Sequence, residues 1–99
     1  MQRYFATIEY DGTQYFGFQR QEKSKITIQG CLEDALQKIL GVSITVVGSG
    51  RTDSGVHAIG QVISFDCEWN HPISSLQKAI NAYLPKDIAV VHLREVPFS

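Results

Sequence analysis

The chain has 99 residues, a formal net charge of −1 and an apolar content of 43%, which together predict one small globular domain. The slightly negative charge excludes a positive field over the whole molecule, so a nucleic-acid site would need a local cluster, whose candidates are Arg20, Lys23, Lys25 and Arg51. No stretch approaches the about 20 apolar residues of a membrane span, and the N-terminus lacks the apolar core of a signal peptide. A cytoplasmic protein with free thiols at Cys31 and Cys67 is therefore expected.

The first part of the chain predicts a strand followed by a helix. Residues 3–10 are rich in β-branched and aromatic types, which predicts a strand, and residues 14–25 predict a long polar loop after a turn. Thr27 is an N-cap residue type, and Gly41 lies where a glycine commonly ends a helix. The apolar face of this helix is predicted from helical spacing and comprises Ile28, Leu32, Ala35, Leu36, Ile39 and Leu40.

The second part of the chain predicts two strands, a helix and a last strand. The strands are expected at residues 44–47 and 61–67 and are joined by a glycine-rich segment, residues 48–60. Pro72 suits the first turn of the second helix, and a later proline ends it before a strand at residues 88–96. The apolar face of the second helix is predicted to comprise Ile73, Leu76, Ala79, Ile80, Tyr83 and Leu84.

This order of elements, β-α-β-β-α-β, predicts a single domain over residues 1–99 of the α+β class. The expected fold is ferredoxin-like, with a four-stranded antiparallel sheet and two helices on one of its faces. The other face would carry one alternating set from each strand. In the first strand the two alternative sets are Tyr4, Ala6, Ile8 and Tyr10, or Phe5, Thr7 and Glu9. Such an uncovered face is expected to need a partner.

The segment 48–60 reads GSGRTDSGVHAIG and is longer than a hairpin between two strands requires. Its glycines permit close approach of the backbone to a ligand, and a loop on a rigid scaffold commonly carries function. The segment lacks the third glycine of a dinucleotide fingerprint, and a strand rather than a helix follows it. The histidines and cysteines of the chain do not have the spacing of metal ligands.

Asp53 and Arg51 are the candidate chemical groups of this segment. A lone carboxylate could attack or stabilise a sugar carbon as its base departs, or act as a general base. An arginine could bind phosphate, stack on a base or wedge into a duplex. Equally, Asp53 could be an Asx-turn residue paired with Arg51 at the surface. The spacing alone leaves both interpretations open, and for His57 it favours a structural role.

Four parts of the chain carry motifs of one known family, in the family's order. They are YDGT and FGFQRQ at residues 10–13 and 16–21, IQG with LE at 28–33, GRTDSGVHA with GQV at 50–62, and NAYLP with DI at 81–88. These motifs resemble those of the bacterial tRNA pseudouridine synthase A family. The Arg-Thr-Asp motif is highly specific, and the other motifs support it.

The resemblance implies a tRNA pseudouridine synthase that isomerises uridine to pseudouridine in the anticodon stem-loop of tRNA, with no cofactor and no metal. It implies that Asp53 is the catalytic aspartate and that Arg51 displaces or holds the flipped nucleotide. The other side chains expected to bind the RNA are Thr52, His57, Arg20 and Gln21. Asp53 would either form a covalent adduct with the sugar or remove a proton from it, and both mechanisms stay open.

The family also implies a partner for this chain. Its members are longer and have a second, similar half, which supplies an active-site tyrosine, a basic residue for the aspartate and an apolar residue near the base. The chain is therefore expected to be the N-terminal half only, inactive alone, from a full-length protein that forms a homodimer and does not bind membranes. Tyr83, on a predicted helix, is not expected to replace the missing tyrosine.

Two other classes of protein share the predicted topology. A non-catalytic RNA-binding module of the RRM type is the first alternative, although residues 61–65 read QVISF and lack the Arg/Lys-Gly-Phe-Gly-Phe pattern that carries its stacking aromatics. A small hydrolase of the acylphosphatase type is the second, because residues 17–20 faintly resemble its phosphate loop. The second alternative leaves the segment 48–60 unexplained.

Overall fold

The computed structural model describes residues 1–11, 27–48 and 58–97, and at 58–60 it describes the backbone alone. The elements in chain order are β1 (Gln2–Tyr10), α1 (Ile28–Leu40), β2 (Val47–Gly48), β3 (Ala58–Cys67), α2 (Ile73–Tyr83) and β4 (Ile88–Val96). The strands form one antiparallel sheet in the order β2-β3-β1-β4. The predicted α+β, ferredoxin-like arrangement is confirmed.

Both ends of α1 lie where the sequence predicts them. The Thr27 side chain accepts a hydrogen bond of 3.1 Å from the backbone N–H of Gly30, which satisfies one of the free donors of the first turn. At the other end, Gly41 adopts a φ of 75°, and its N–H donates to the carbonyl of Gln37 at 2.8 Å. This left-handed conformation carries little cost for glycine alone, which fixes where the helix ends.

The side chains of β1 alternate between the core and the open face of the sheet. Those at positions 4, 6, 8 and 10 are buried and belong to the hydrophobic core with residues of both helices, namely Ile28, Leu32, Ala35, Leu36, Leu76 and Ile80. The other set, Phe5, Thr7 and Glu9, therefore lies on the face opposite the core. The structure decides between the two alternatives that the sequence leaves open.

The prediction of a strand over residues 44–47 is wrong for its first three residues. Only Val47 and Gly48 pair with β3, opposite Ser64 and Ile63. Ile44 and Val46 are nevertheless buried, so their apolar character reflects packing rather than strand pairing. A buried irregular segment and a strand are both apolar and β-branched, and the pattern does not distinguish them.

The predicted start of the next strand is also wrong, by three residues. β3 begins at Ala58 instead of Gln61, because the last residues of β1 extend the ladder: Tyr10 pairs with Ala58 and Glu9 with Ile59. The glycine-rich connection is correspondingly shorter than the 48–60 segment of the sequence. Glycine at position 60 marks an irregularity within the strand rather than the end of a loop.

The predicted apolar face of α2 is broader than the face the helix buries. Leu76 and Ile80 are buried, and Leu84 after the helix continues the same i, i+4, i+8 line. Ile73 and Tyr83 are 37% and 53% exposed, so their assignment to the core is wrong. The helix packs mainly on β4 and more lightly on α1, which leaves its flanks in solvent. Neither helix of the described residues is long and apolar enough to cross a membrane.

The buried thiol of Cys67 predicts a loss of stability at alkaline pH. Burial, reinforced by the negative charge of Asp66, raises its pKa from 9.0 to about 11. Between about pH 9 and 11 the unfolded chain therefore loses this proton while the folded chain keeps it, so the free energy of unfolding should fall by on the order of 2 kcal/mol. Urea titrations across this pH range measure the decline.

Cys67→Ala is the control for this prediction. The variant should keep only a smaller decline, to which Tyr4 contributes because burial raises its pKa also. An equal decline in the free energy of unfolding of the two proteins would contradict the assignment of this decline to the Cys67 thiol. Cys31 is only partly buried, and it remains in both proteins.

Candidate active-site end of the sheet

The site residues predicted from the sequence all lie outside the described residues. They are Arg20, Gln21, Arg51, Thr52, Asp53 and His57. The structure describes the scaffold on either side of the two segments that carry them, residues 12–26 and 49–57. For the candidate site, the structure therefore describes the residues to which these two segments are attached.

Both segments are attached at one end of the sheet. Residues 12–26 follow Asp11 at the end of β1, and residues 49–57 precede Ala58 at the start of β3. Tyr10 pairs directly with Ala58 on one side and with Ile88 on the other. Antiparallel pairing thus brings together the ends of two motifs that are far apart in the sequence.

A partly buried hydrogen bond joins the same two motifs through their side chains. The hydroxyl of Tyr10 donates to Oε1 of Gln61 at 2.7 Å, and Tyr10 is only 5% exposed. Leaving a buried hydroxyl without a partner costs about 1–3 kcal/mol, so the bond constrains the end of β1 relative to β3. Sequence analysis missed this pair, although each residue lies in a motif that it singled out.

The motif of residues 81–88 contacts this end of the sheet through backbone hydrogen bonds. The N–H of Asp11 donates to the carbonyl of Asp87 at 3.0 Å, and the N–H of Ile88 donates to that of Pro85 at 3.2 Å. The turn before β4 is therefore bonded to the residue at which the segment 12–26 begins. The motif region that contains Tyr10 and Asp11 therefore contacts two other motif regions here.

The ladder between β1 and β3 is irregular close to this end. Ile8 pairs with Gln61, whereas Glu9 pairs with Ile59, so Gly60 is an extra residue of β3. An extra residue of this kind bends the strand and increases its twist, and it is common beside functional sites. The irregularity lies within the first residues of β3, two residues after its start at Ala58.

A second irregularity lies at the same level on the other side of β1. Thr7 pairs with His92 and Ile8 with Val90, so Val91 is an extra residue of β4. Both neighbours of β1 are therefore bent at the same height. Each neighbour of β1 thus has one register irregularity near the end of the sheet that carries Tyr10.

The remaining motif, residues 28–33, contacts the chain shortly before the segment 49–57. Glu33 and Gln29 of α1 bind the backbone N–H and carbonyl of Val46. Gly48 follows two residues later and is the last described residue before the segment. Each of the four motif regions thus borders a point at which one of the two segments is attached.

Two contacts of charged side chains on the open sheet face lie towards its other end. Arg3 binds Asp66 through two bonds of 2.8 and 3.0 Å, and the hydrogen bond from the guanidinium, with its charge, lowers the pKa of this carboxyl group. The guanidinium of Arg94 lies 5.2 Å from the centre of the Phe5 ring, within range of a cation–π contact. These groups contribute to the sheet surface but are remote from Tyr10 and Ala58.

A metal centre has no candidate in the described part of the chain. Within residues 1–11, 27–48 and 58–97, no three His, Cys, Asp or Glu side chains are grouped so that they could hold an ion. The titratable groups predicted to act in the site, Asp53 above all, lie outside these ranges.

Comparison with known proteins gives the family. A family model described as tRNA pseudouridine synthase matches residues 6–98. Proteins named tRNA pseudouridine synthase A are 49% identical over 97% of the chain in Caldicellulosiruptor saccharolyticus and 54% identical over 91% in Latilactobacillus sakei. A protein of the same name from Neisseria meningitidis is 42% identical over 96% of the chain.

The chain spans little more than a third of the length of these curated relatives, namely 39%, 36% and 36% of each in turn. The matched part of the chain includes all four motif regions and all of the sheet except residues 2–5 of β1. The family predicted from the motifs is confirmed. This chain, whose sheet joins those motifs at one end, belongs to the tRNA pseudouridine synthase family.

Proposed function

We propose that this chain supplies the aspartate-bearing part of an enzyme that isomerises uridine to pseudouridine in the anticodon stem-loop of tRNA. The observation that carries the proposal is the attachment of both motif-bearing segments at one end of the sheet, where Tyr10 pairs with Ala58. A shared end of this kind allows Arg20 and Gln21 of one segment and Arg51 and Asp53 of the other to serve one nucleotide. The family membership supports the substrate and reaction class.

The reaction requires a group that handles the sugar carbon as the base leaves. The bond from C1′ to N1 of uracil breaks, the base turns, a bond from C1′ to C5 forms, and C5 loses its proton. Asp53 either attacks C1′ and is displaced by C5, or removes a sugar proton that is later returned. Both routes need the aspartate ionised and held against the sugar.

The target base must also leave its stack before this chemistry can occur. Arg51 can fill the position that the displaced nucleotide leaves, or it can bind the phosphate of that nucleotide, since its planar guanidinium both stacks and forms paired hydrogen bonds. Thr52, His57, Arg20 and Gln21 would contact the surrounding RNA. The remainder of the enzyme would come from the length that the relatives have beyond this match, and the complete protein would act as a homodimer.

A non-catalytic RNA-binding module is the alternative that the same topology allows. Such a module stacks bases on aromatic side chains of the open sheet face. The residues of β3 opposite Thr7, Phe5 and Arg3 are Val62, Ser64 and Asp66, so this strand offers no aromatic ring there. The isomerase accounts for the Arg-Thr-Asp segment, which the alternative leaves without a role.

Tritium release distinguishes these functions. Residues 1–99 would replace the matching part of the Caldicellulosiruptor saccharolyticus relative, and the chimaera would be incubated with tRNA tritiated at C5 of its uridines. An isomerase releases tritium to water with multiple turnovers, since C5 loses its hydrogen when it bonds to C1′. Binding of the tRNA without release would support the RNA-binding module, with the unmodified relative as the positive control.

Replacing Arg51 by lysine should slow turnover without a comparable loss of stability. Lysine keeps the charge but loses the planar group that stacks and forms paired hydrogen bonds. The expected loss in kcat is about 10- to 100-fold for a paired target uridine, because flipping such a base costs a few kcal/mol. A mismatched target, which unstacks more easily, should be affected less. Equal losses on paired and mismatched targets would indicate simple electrostatics.

A further inference from the structure

The segment with Arg51 and Asp53 begins from an unusually short strand. β2 contains only Val47 and Gly48, so two ladder positions alone fix the chain to the sheet there. A cleft of about 670 Å³ is lined on one side by Ile44 and Thr45 and on the other by Ser64 and Asp66 of β3. The chain before Val47 is thus separated from the strand beside which it would otherwise run.

Side chains of α1 hold this chain instead. The N–H of Val46 donates to Oε2 of Glu33 at 2.9 Å, and Nε2 of Gln29 donates to the carbonyl of Val46 at 2.9 Å. One acceptor and one donor therefore face a single residue, as a neighbouring strand would present them. Val46 is 1% exposed, so water does not readily replace these bonds.

The two side chains also orient each other. Nε2 of Gln29 donates to Oε2 of Glu33 at 3.1 Å, one helical turn apart on α1. A hydrogen bond to a carboxylate is roughly twice as strong as one between neutral groups. Gln29, Glu33 and the backbone of Val46 form a closed set of three bonds, here named the Val46 clamp.

Resting on the proposed function, we propose that Glu33 and Gln29 are positioning residues for the pseudouridine reaction. The Val46 clamp fixes the direction in which the chain leaves α1 towards Gly48, and Arg51 and Asp53 follow shortly after. Neither side chain is proposed to touch the substrate. Small misplacements of a catalytic group reduce rates strongly, by about 100-fold for 1 Å, so loosening the clamp lowers kcat.

The test uses the chimaera and three substitutions that differ in what they remove. Glu33→Ala deletes the acceptor for Val46 and should lower kcat about 10- to 100-fold while the Kd for tRNA is unchanged. Glu33→Gln keeps an acceptor oxygen and should retain kcat within about threefold. Gln29→Ala should lower kcat less than Glu33→Ala. The fold-loss in kcat of the double variant should be smaller than the product of the two single losses, because both side chains bind Val46.

Gln77→Ala is the matched control. Nε2 of Gln77 on α2 donates to the carbonyl of Val90 in β4 at 3.1 Å, which is the type of bond that Gln29 makes to Val46. This variant should keep kcat within about threefold of the parent. The inference is overturned if Glu33→Ala and Gln77→Ala have the same kcat, if Glu33→Gln is as slow as Glu33→Ala, or if the loss lies in tRNA affinity alone.

Hydrogen exchange separates this inference from the proposed function. In the 99-residue chain the Val46 amide should exchange at least about 10-fold faster in Glu33→Ala than in the parent, and about as in the parent in Glu33→Gln. Unchanged exchange in Glu33→Ala overturns the clamp, whatever the chimaera does. A chimaera that binds tRNA but never releases tritium, with the clamp intact by exchange, contradicts the proposed function and with it any positioning role in the reaction.

Discussion

Replacing Asp53 by asparagine in the chimaera should reduce pseudouridine formation by about 100- to 10,000-fold, the range for a positioned catalytic carboxylate. Asparagine is nearly the same size but has neither the charge to stabilise a sugar cation nor the basicity to take a proton. The Kd for tRNA and the unfolding midpoint should change little. Single-turnover tritium release, tRNA binding and urea denaturation measure the three quantities.

Asp34→Asn provides the control for loss of one aspartate charge. Asp34 is exposed on α1 and is not among the residues to which we assign a role in the reaction. Its replacement should therefore leave turnover unchanged. An Asp53→Asn variant that keeps more than about 5% of the parent rate would contradict the catalytic assignment, because a group worth this little is not required for the chemistry.

The 99-residue chain alone should fold but not turn over. Its sheet is complete, and both helices share one core with it, which supports independent folding. The chain nevertheless matches only 39% of the Caldicellulosiruptor saccharolyticus relative, and the family resemblance assigns the tyrosine and the basic partner of Asp53 to the second half. An aspartate without these groups is poorly positioned, and misplacement costs large factors in rate.

Circular dichroism and tritium release on the same preparation test this expectation. The predicted outcome is a cooperative thermal transition with no tritium release above the no-enzyme background. Turnover by the isolated chain comparable to that of the full-length relative would contradict the division of the active site between two halves.

The elements that sequence predicts well are those with local causes. Thr27 and Gly41 act within one turn of α1, and the strand predicted at residues 88–96 is found as β4 with the same bounds. The failures have tertiary causes. Residues 44–46 are β-branched, yet the backbone of Val46 binds two helix side chains rather than a neighbouring strand. The spacing of residues in the sequence does not predict this choice.

The candidate site also has features with local causes, which sequence predicts, and features with tertiary causes, which it does not. Its motif could be found from sequence, because glycine, arginine and aspartate occur in an unusual local pattern. Contacts such as Tyr10 with Gln61, and Glu33 with Val46, could not, since they depend on how distant elements pack. Arg51 and Asp53 themselves lie outside the described residues.

Chemical mapping of pseudouridine on unmodified tRNA tests the central claim most directly. The chimaera carrying residues 1–99 should produce pseudouridine in the anticodon stem-loop, and the same chimaera with Asp53→Asn should produce none while binding the tRNA equally well. Pseudouridine at the same positions and to the same extent with both proteins would contradict the claim that this chain supplies the catalytic aspartate.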